Sequence, residues 1–226
     1  MKIKFLGQNC FLFQYQGKNI LSDPFYNFQK EKSGFDISEQ KIDYVLITHA
    51  HEDHIADVKE VLEIYPEAVV IAQPEVCGYF GHSHFIDLNI GGMTQIEGLK
   101  IFMVQASHTS SFPDGSYGGI ASGYILRYQD KGIYLSGDTG VMAEMALFSK
   151  QFGEIDVAIL PIGGHYTMDA YQANFVAREL LKTKKVIGCH FDTFPSITLN
   201  HSEVERYFAE NKTDLILPEL GINFAI

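Results

Sequence analysis

Three imidazoles and a carboxylate crowd into six residues of this chain, His49-Ala50-His51-Glu52-Asp53-His54, directly after the apolar run Tyr44-Val45-Leu46-Ile47. Nitrogen and oxygen donors at that density suit a divalent metal ion. One helical face does not explain the spacing. At about 100° per residue His49 and Asp53 share a side, whereas His51 and His54 lie well round it. A loop leaving the end of a strand can turn all four inward.

The same placement recurs along the chain. Asp23, His108, Asp138, His165 and His190 each follow a short apolar run, so each falls where a buried strand is predicted to end. Ligands gather outside the carboxyl ends of strands in many sheet proteins. If these ends share one rim, the polar side chains converge.

The elements that must position them alternate between short strands and a few helices. Residues 2–23 read as three strands, stopped by Asp23-Pro24, and residues 25–40 as a polar loop able to lie over a pocket. A helix is predicted from Asp57 to Tyr65, beginning only after the metal motif and ended by Pro66. Strands follow at 69–72, 86–88, 95–96 and 100–105, and residues 109–119, rich in Ser, Gly, Pro and Asp, read as a flexible loop. Residues 123–127 and 132–135 form a hairpin. Beyond it come helices at 142–148, 169–182 with Asp169 as cap, and 202–211, with strands at 156–161 and 185–188. This succession predicts two sheets packed together with helices outside, in a single domain spanning 1–226.

Composition narrows the function. Of 226 residues 46% are hydrophobic, ample for a core, and 28 acids against 17 bases give a net charge of −11. That charge disfavours nucleic acid and anionic lipid as partners. The opening residues Met1-Lys2-Ile3-Lys4-Phe5 carry no apolar signal core, and no run approaches the roughly 18 apolar residues of a membrane span. The expectation is a cytoplasmic protein acting on a small molecule, with a homo-oligomer compatible with the sequence. Cys10, Cys77 and Cys189 are widely spaced and odd in number, so no structural disulfide is expected.

In order, Asp23, His49-Ala50-His51-Glu52-Asp53-His54, His108, Asp138 within Ser136-Gly137-Asp138-Thr139-Gly140, and His190 resemble the motifs of the metallo-β-lactamase fold hydrolases. The stretches 160–168 and 189–195 resemble, within that superfamily, the UlaG-like small bacterial metal-dependent hydrolases. The resemblance implies an α+β fold, an αββα sandwich of two mixed sheets with helices on the outer faces. It implies one metal ion held by His49, His51 and His108 and a second held by Asp53, His54 and His190, with Asp138 bridging. Asp23 would orient a ligand imidazole from behind.

Five histidines and two aspartates suit Zn²⁺ first, with Mn²⁺ or Fe²⁺ as the other candidates. Two such ions about 3.5–4 Å apart can share a hydroxide and activate it at neutral pH. Asp53 and Asp138 are then candidates for passing a proton to the leaving group, Asp53 the better because it need not bridge. His165, in a Gly-Gly-His turn, reads as a residue binding substrate or a developing oxyanion. Loops 19–29, 48–58, 106–126, 136–146, 161–177 and 188–199 contain no Lys or Arg, the residues that ordinarily grip phosphate. This points to an ester, lactone or amide-type bond. The alternatives of the same fold are a phosphodiesterase or nuclease, which lacks the basic surface it would need here, and a di-iron redox protein, which typically replaces the second histidine by Glu where this chain has His51. His82-Ser83-His84 copies only the first half of the motif and is set aside as a metal site.

Overall fold

The computed structural model describes residues 1–225. Strands β1 (Lys2–Gly7), β2 (Cys10–Tyr15), β3 (Lys18–Ser22), β4 (Tyr44–Leu46), β5 (Val69–Ala72) and β6 (Phe85–Asp87) come first. They are followed by β7 (Met93–Ile96), β8 (Leu99–Gln105), β9 (Ser122–Tyr128), β10 (Lys131–Leu135), β11 (Val157–Pro161), β12 (Lys185–Cys189), β13 (Asp214–Ile216) and β14 (Asn223–Ala225). The described residues divide into two compact units, 1–90, 109–121 and 219–225 in one, and 91–108 and 122–218 in the other. Each is built on its own seven-stranded mixed sheet.

In the first unit the strand order is β14-β1-β2-β3-β4-β5-β6. Pairing is antiparallel as far as β3 and parallel from β3 to β6. Because β1 and β3 flank β2 antiparallel to it, they run the same way, so β1, β3, β4 and β5 all deliver their carboxyl ends to one edge of this sheet. Those ends lead into Gln8, Asp23, Thr48 and Gln73. Helices α1 (Lys30–Ser33), α2 (Glu52–Ile55), α3 (Val58–Ile64) and α4 (Pro74–Phe80) belong to this unit. Its core gathers Leu6, Leu12, Leu21, Val45, Ile47, Val58, Val61 and Val70 with Tyr26, Phe35 and Phe112.

The second unit repeats the scheme in the order β13-β12-β11-β10-β9-β8-β7, antiparallel from β7 to β10 and parallel from β10 to β13. Strands β8, β10, β11 and β12 therefore end on one edge, leading into His108, Asp138, His165 and His190. Its helices are α5 (Met145–Phe152), α6 (Ala170–Phe175), which continues as a π-helical segment Val176–Leu181, and α7 (His201–Glu210).

Two local predictions are corrected, and one helix is added. Residues 25–40 are not a plain loop: 3₁₀ turns at Tyr26–Gln29 and Ile37–Glu39 flank α1, and Tyr26, Phe35 and Ile37 are buried in the core. Helix starts inside the metal motif, at Glu52, where extended His51 ends the strand-exit loop and the carboxylates Glu52 and Asp53 complement the positive first turn. The added helix is α4, bracketed by Pro74 at its start and left-handed Gly81 (φ 59°) at its end, with Gly78 interrupting its apolar pattern in the sequence. Cys10, Cys77 and Cys189 are buried, and none of them is in a disulfide among the described residues.

The cap predicted for α6 is a full capping box. Asp169 accepts from the Gln172 backbone at 2.8 Å, and the Gln172 side chain accepts from the Asp169 backbone at 3.1 Å. Asp169→Ala is expected to lower unfolding free energy by about 1 kcal/mol in urea denaturation.

Candidate metal centre

The first unit assembles its donors around one carboxylate. Asp23 is fully buried at the end of β3, in a left-handed conformation (φ 38°) that an Asp tolerates better than most residues. Its Oδ1 accepts the Thr48 backbone N–H at 2.8 Å, and its Oδ2 accepts the Thr48 hydroxyl at 2.8 Å and His54 Nδ1 at 2.8 Å. The Thr48 hydroxyl has given its proton to Asp23, so it receives Nδ1–H of His49, 3.0 Å away. Both rings are thereby held as the Nδ1–H tautomer, with a lone pair on Nε2. Burial pushes the Asp23 carboxyl above its usual range, while the hydrogen bonds it accepts from His54 and Thr48 pull it back.

His49 Nε2 lies 3.0 Å from His51 Nδ1. Two nitrogens each about 2.0–2.1 Å from one tetrahedral ion stand roughly 3.3 Å apart, so the pair fits a single cation with little adjustment. His51 Nε2 meets the Thr109 hydroxyl at 3.3 Å. Asp53, a neighbour of His54 (Nε2 to Oδ2 3.7 Å), accepts the side-chain amide of Gln8 at 2.7 Å. Gln8 is a site residue that sequence reasoning missed. Its position after β1 is the same signal that singled out Asp23 and His49, but an amide carries no metal-ligand signature.

In the second unit the carboxylate of Asp138 lies between two rings, its Oδ2 3.0 Å from His190 Nε2 and 3.6 Å from His108 Nε2. Asp138 and His190 are buried. The loops that carry them are tied together: Ser107 N–H donates to the Thr139 hydroxyl at 3.0 Å, Gly140 N–H to Ser107 O at 3.1 Å, and Ile162 N–H to Cys189 O at 3.1 Å. His190 is left-handed (φ 53°), and a Cβ on Gly163 would lie 2.2 Å from its carbonyl oxygen, so only glycine fits there. His165 is exposed at the end of β11, left-handed at φ 61°, with its ring edge-on to Tyr166 at 4.4 Å.

The locked imidazoles of the first unit and the carboxylate flanked by two imidazoles in the second are donor types that suit a divalent cation. The outlying histidines have other work. His82 Nε2 meets Ala68 O at 2.9 Å and His84 lies 3.7 Å from Glu67.

The loop after His108 is anchored where mobility was expected. Ser110 Oγ accepts the Ala50 N–H at 3.1 Å and donates to Gly118 O at 2.8 Å, Gln73 Oε1 accepts the Ile120 N–H at 2.7 Å, and Phe112 stacks on Tyr79 at 3.9 Å. The glycines serve close packing. A Cβ on Gly118 would come within 2.3 Å of Ala50 Cβ, inside the metal motif. Gly118→Ala is expected to cost about 1–3 kcal/mol by overpacking and to weaken metal binding with it, read by thermal melting and metal content.

Residues 2–190 match the profile of the beta-lactamase superfamily domain. A UPF0173 metal-dependent hydrolase of Flavobacterium johnsoniae is 37% identical over 98% of each chain, and one from Pyrococcus horikoshii is 38% identical over 96% of each. Among solved structures, Igni18, described as a novel metallo hydrolase from the hyperthermophilic archaeon Ignicoccus hospitalis, matches with a TM-score of 0.86 at 31% identity, over 100% of this chain and 98% of that one. The two mixed sheets with their helices are the metallo-β-lactamase fold. The chain belongs to the beta-lactamase superfamily and, within it, to the UPF0173 metal-dependent hydrolases. Among the described residues no helix is long and apolar enough to cross a membrane.

Proposed function

We propose that this protein is a binuclear metal-dependent hydrolase of small, neutral or singly charged molecules, cleaving an ester, lactone or amide-type bond. The observation that carries the reading is the Asp23–Thr48 arrangement, which turns Nε2 of both His49 and His54 into metal donors. In this reading His49, His51 and His108 hold one ion, Asp53, His54 and His190 hold the other, and Asp138 is shared. Zn²⁺ is the first candidate, with Mn²⁺ and Fe²⁺ next. Bound there, the pair supplies Lewis acidity and a water acidic enough to attack near neutral pH.

The protein's own groups divide the remaining work. Asp53 carries the proton toward the leaving group. His165, exposed on the edge of its sheet, hydrogen-bonds the substrate. The lack of Lys and Arg in all six motif loops supports a substrate without a phosphate cluster, since nothing in them would pair with one.

A panel of lactones, thioesters, phosphodiesters and β-lactams, assayed with Zn²⁺ and with Mn²⁺, tests the assignment. Turnover of a lactone or thioester with phosphodiesters left intact is the expected result. Preferential phosphodiester cleavage would overturn it.

A further inference from the structure

The turn between β1 and β2 is shaped unlike an ordinary hairpin connection. Gly7 pairs with Cys10, so Gln8 and Asn9 form a two-residue loop, and the register shifts between Phe5 and Gly7. Gln8 occupies the first loop position with φ 54°, a conformation that such loops normally fill with glycine, asparagine or aspartate. It is also completely buried, which is unusual for a glutamine at the tip of a turn. A long polar side chain held in an unfavourable backbone conformation and removed from water needs a partner that rewards both. That partner is the Asp53 carboxylate: Gln8 Nε2 donates to Oδ2 at 2.7 Å, across 45 residues of sequence.

The topology explains the reach. β1 and β4 end on the same edge of the sheet, so the turn after β1 lies at the level of the loop and helical turn that follow β4. Asp53 sits at the start of the four-residue α2, too short a helix to fix a carboxylate by itself. Its neighbour His54 is already fixed by Asp23. Gln8 does for the carboxylate what Asp23 does for the imidazole.

We propose that Gln8 is a positioning residue for the metal centre, orienting the Asp53 carboxylate so that it can serve the ion it shares with His54. The amide takes up one lone-pair direction of Oδ2 and thereby limits rotation of the carboxylate about its Cβ–Cγ bond. The inference rests on the binuclear reading, because Asp53 has a metal to serve only if the second ion binds.

The test is a Co²⁺ titration of the metal-stripped full-length protein, followed by the visible absorption of the bound ion, on wild type, Gln8→Met and Gln8→Glu. Gln8→Met keeps the length of the side chain and removes the donor; Gln8→Glu keeps the shape and sets a second carboxylate against Asp53. Wild type should bind two ions in steps with separate spectra. In both variants one step should weaken by about 10–100-fold, as loss of a supporting group does in other metal sites. The other step should keep its affinity and spectrum, and the metal-free melting temperature should stay near that of wild type. Unchanged binding of both ions would overturn the proposal. So would equal weakening of both, or unfolding of both variants, since each would make Gln8 part of the scaffold alone. Failure of the binuclear reading shows up separately, as a wild type that binds one Co²⁺ or none.

Discussion

Asp138→Ala is expected to remove at least one metal ion from the protein and to reduce hydrolysis by about 10³-fold or more. Asp138 is the carboxylate that two imidazoles of its unit face, at 3.0 Å and 3.6 Å, and it is buried, so no solvent group stands ready to replace it. Loss of a group that merely supports a ligand commonly costs 10–100-fold, and a ligand that is shared between two ions, as proposed for Asp138, should cost more. Without the carboxylate, His190 and His108 also lose the negative charge that offsets a dication. Metal content by elemental analysis and kcat/KM on whichever substrate the panel identifies are the two readouts. A variant that retained both ions and more than about a tenth of its activity would remove Asp138 from the centre.

Asp23→Asn carries the largest expected effect on stability. The substitution suits the left-handed backbone at this position, so strain does not change. What changes is one oxygen, replaced by an NH₂ group that faces the Thr48 hydroxyl and His54 Nδ1, both donors to Asp23 now. If the amide is flipped, the same conflict moves to the Thr48 backbone N–H. Each buried donor left without an acceptor costs about 1–3 kcal/mol, so a loss of roughly 2–4 kcal/mol is expected in urea denaturation of the metal-free protein. Metal affinity should fall as well, because the tautomers of both His49 and His54 depend on this carboxylate. A variant with wild-type stability and wild-type metal binding would show that the Asp23 network supports neither.

Much of this was legible in the sequence, and the reason is specific. Asp23, His49, Asp138 and His190 each follow an apolar run, and the parallel half of each sheet turns that pattern into geometry: β3 and β4 deliver Asp23 and His49 to one edge of the first sheet, and β10 and β12 deliver Asp138 and His190 to one edge of the second. What the sequence hid was of two kinds. Three-residue strands such as β13 and β14, and the short helical turns over residues 26–39, are too brief to show a period. The other kind is chemistry carried by unremarkable residue types. Gln8 and Ser110 act through hydrogen bonds to Asp53 and to the Ala50 backbone, contacts that exist only once distant segments meet. Glycine had a similar ambiguity. Gly118 and Gly119 suggested mobility, whereas their lack of a side chain is what lets the loop pack against Ala50 and Gln73.

The claim that seven donors form a two-ion centre is tested most directly by counting metal. Protein purified without added metal and analysed by plasma mass spectrometry should contain close to two divalent ions per chain, falling toward one or none in Asp138→Ala. One ion per chain in the wild type, with no second bound on titration, would contradict the account.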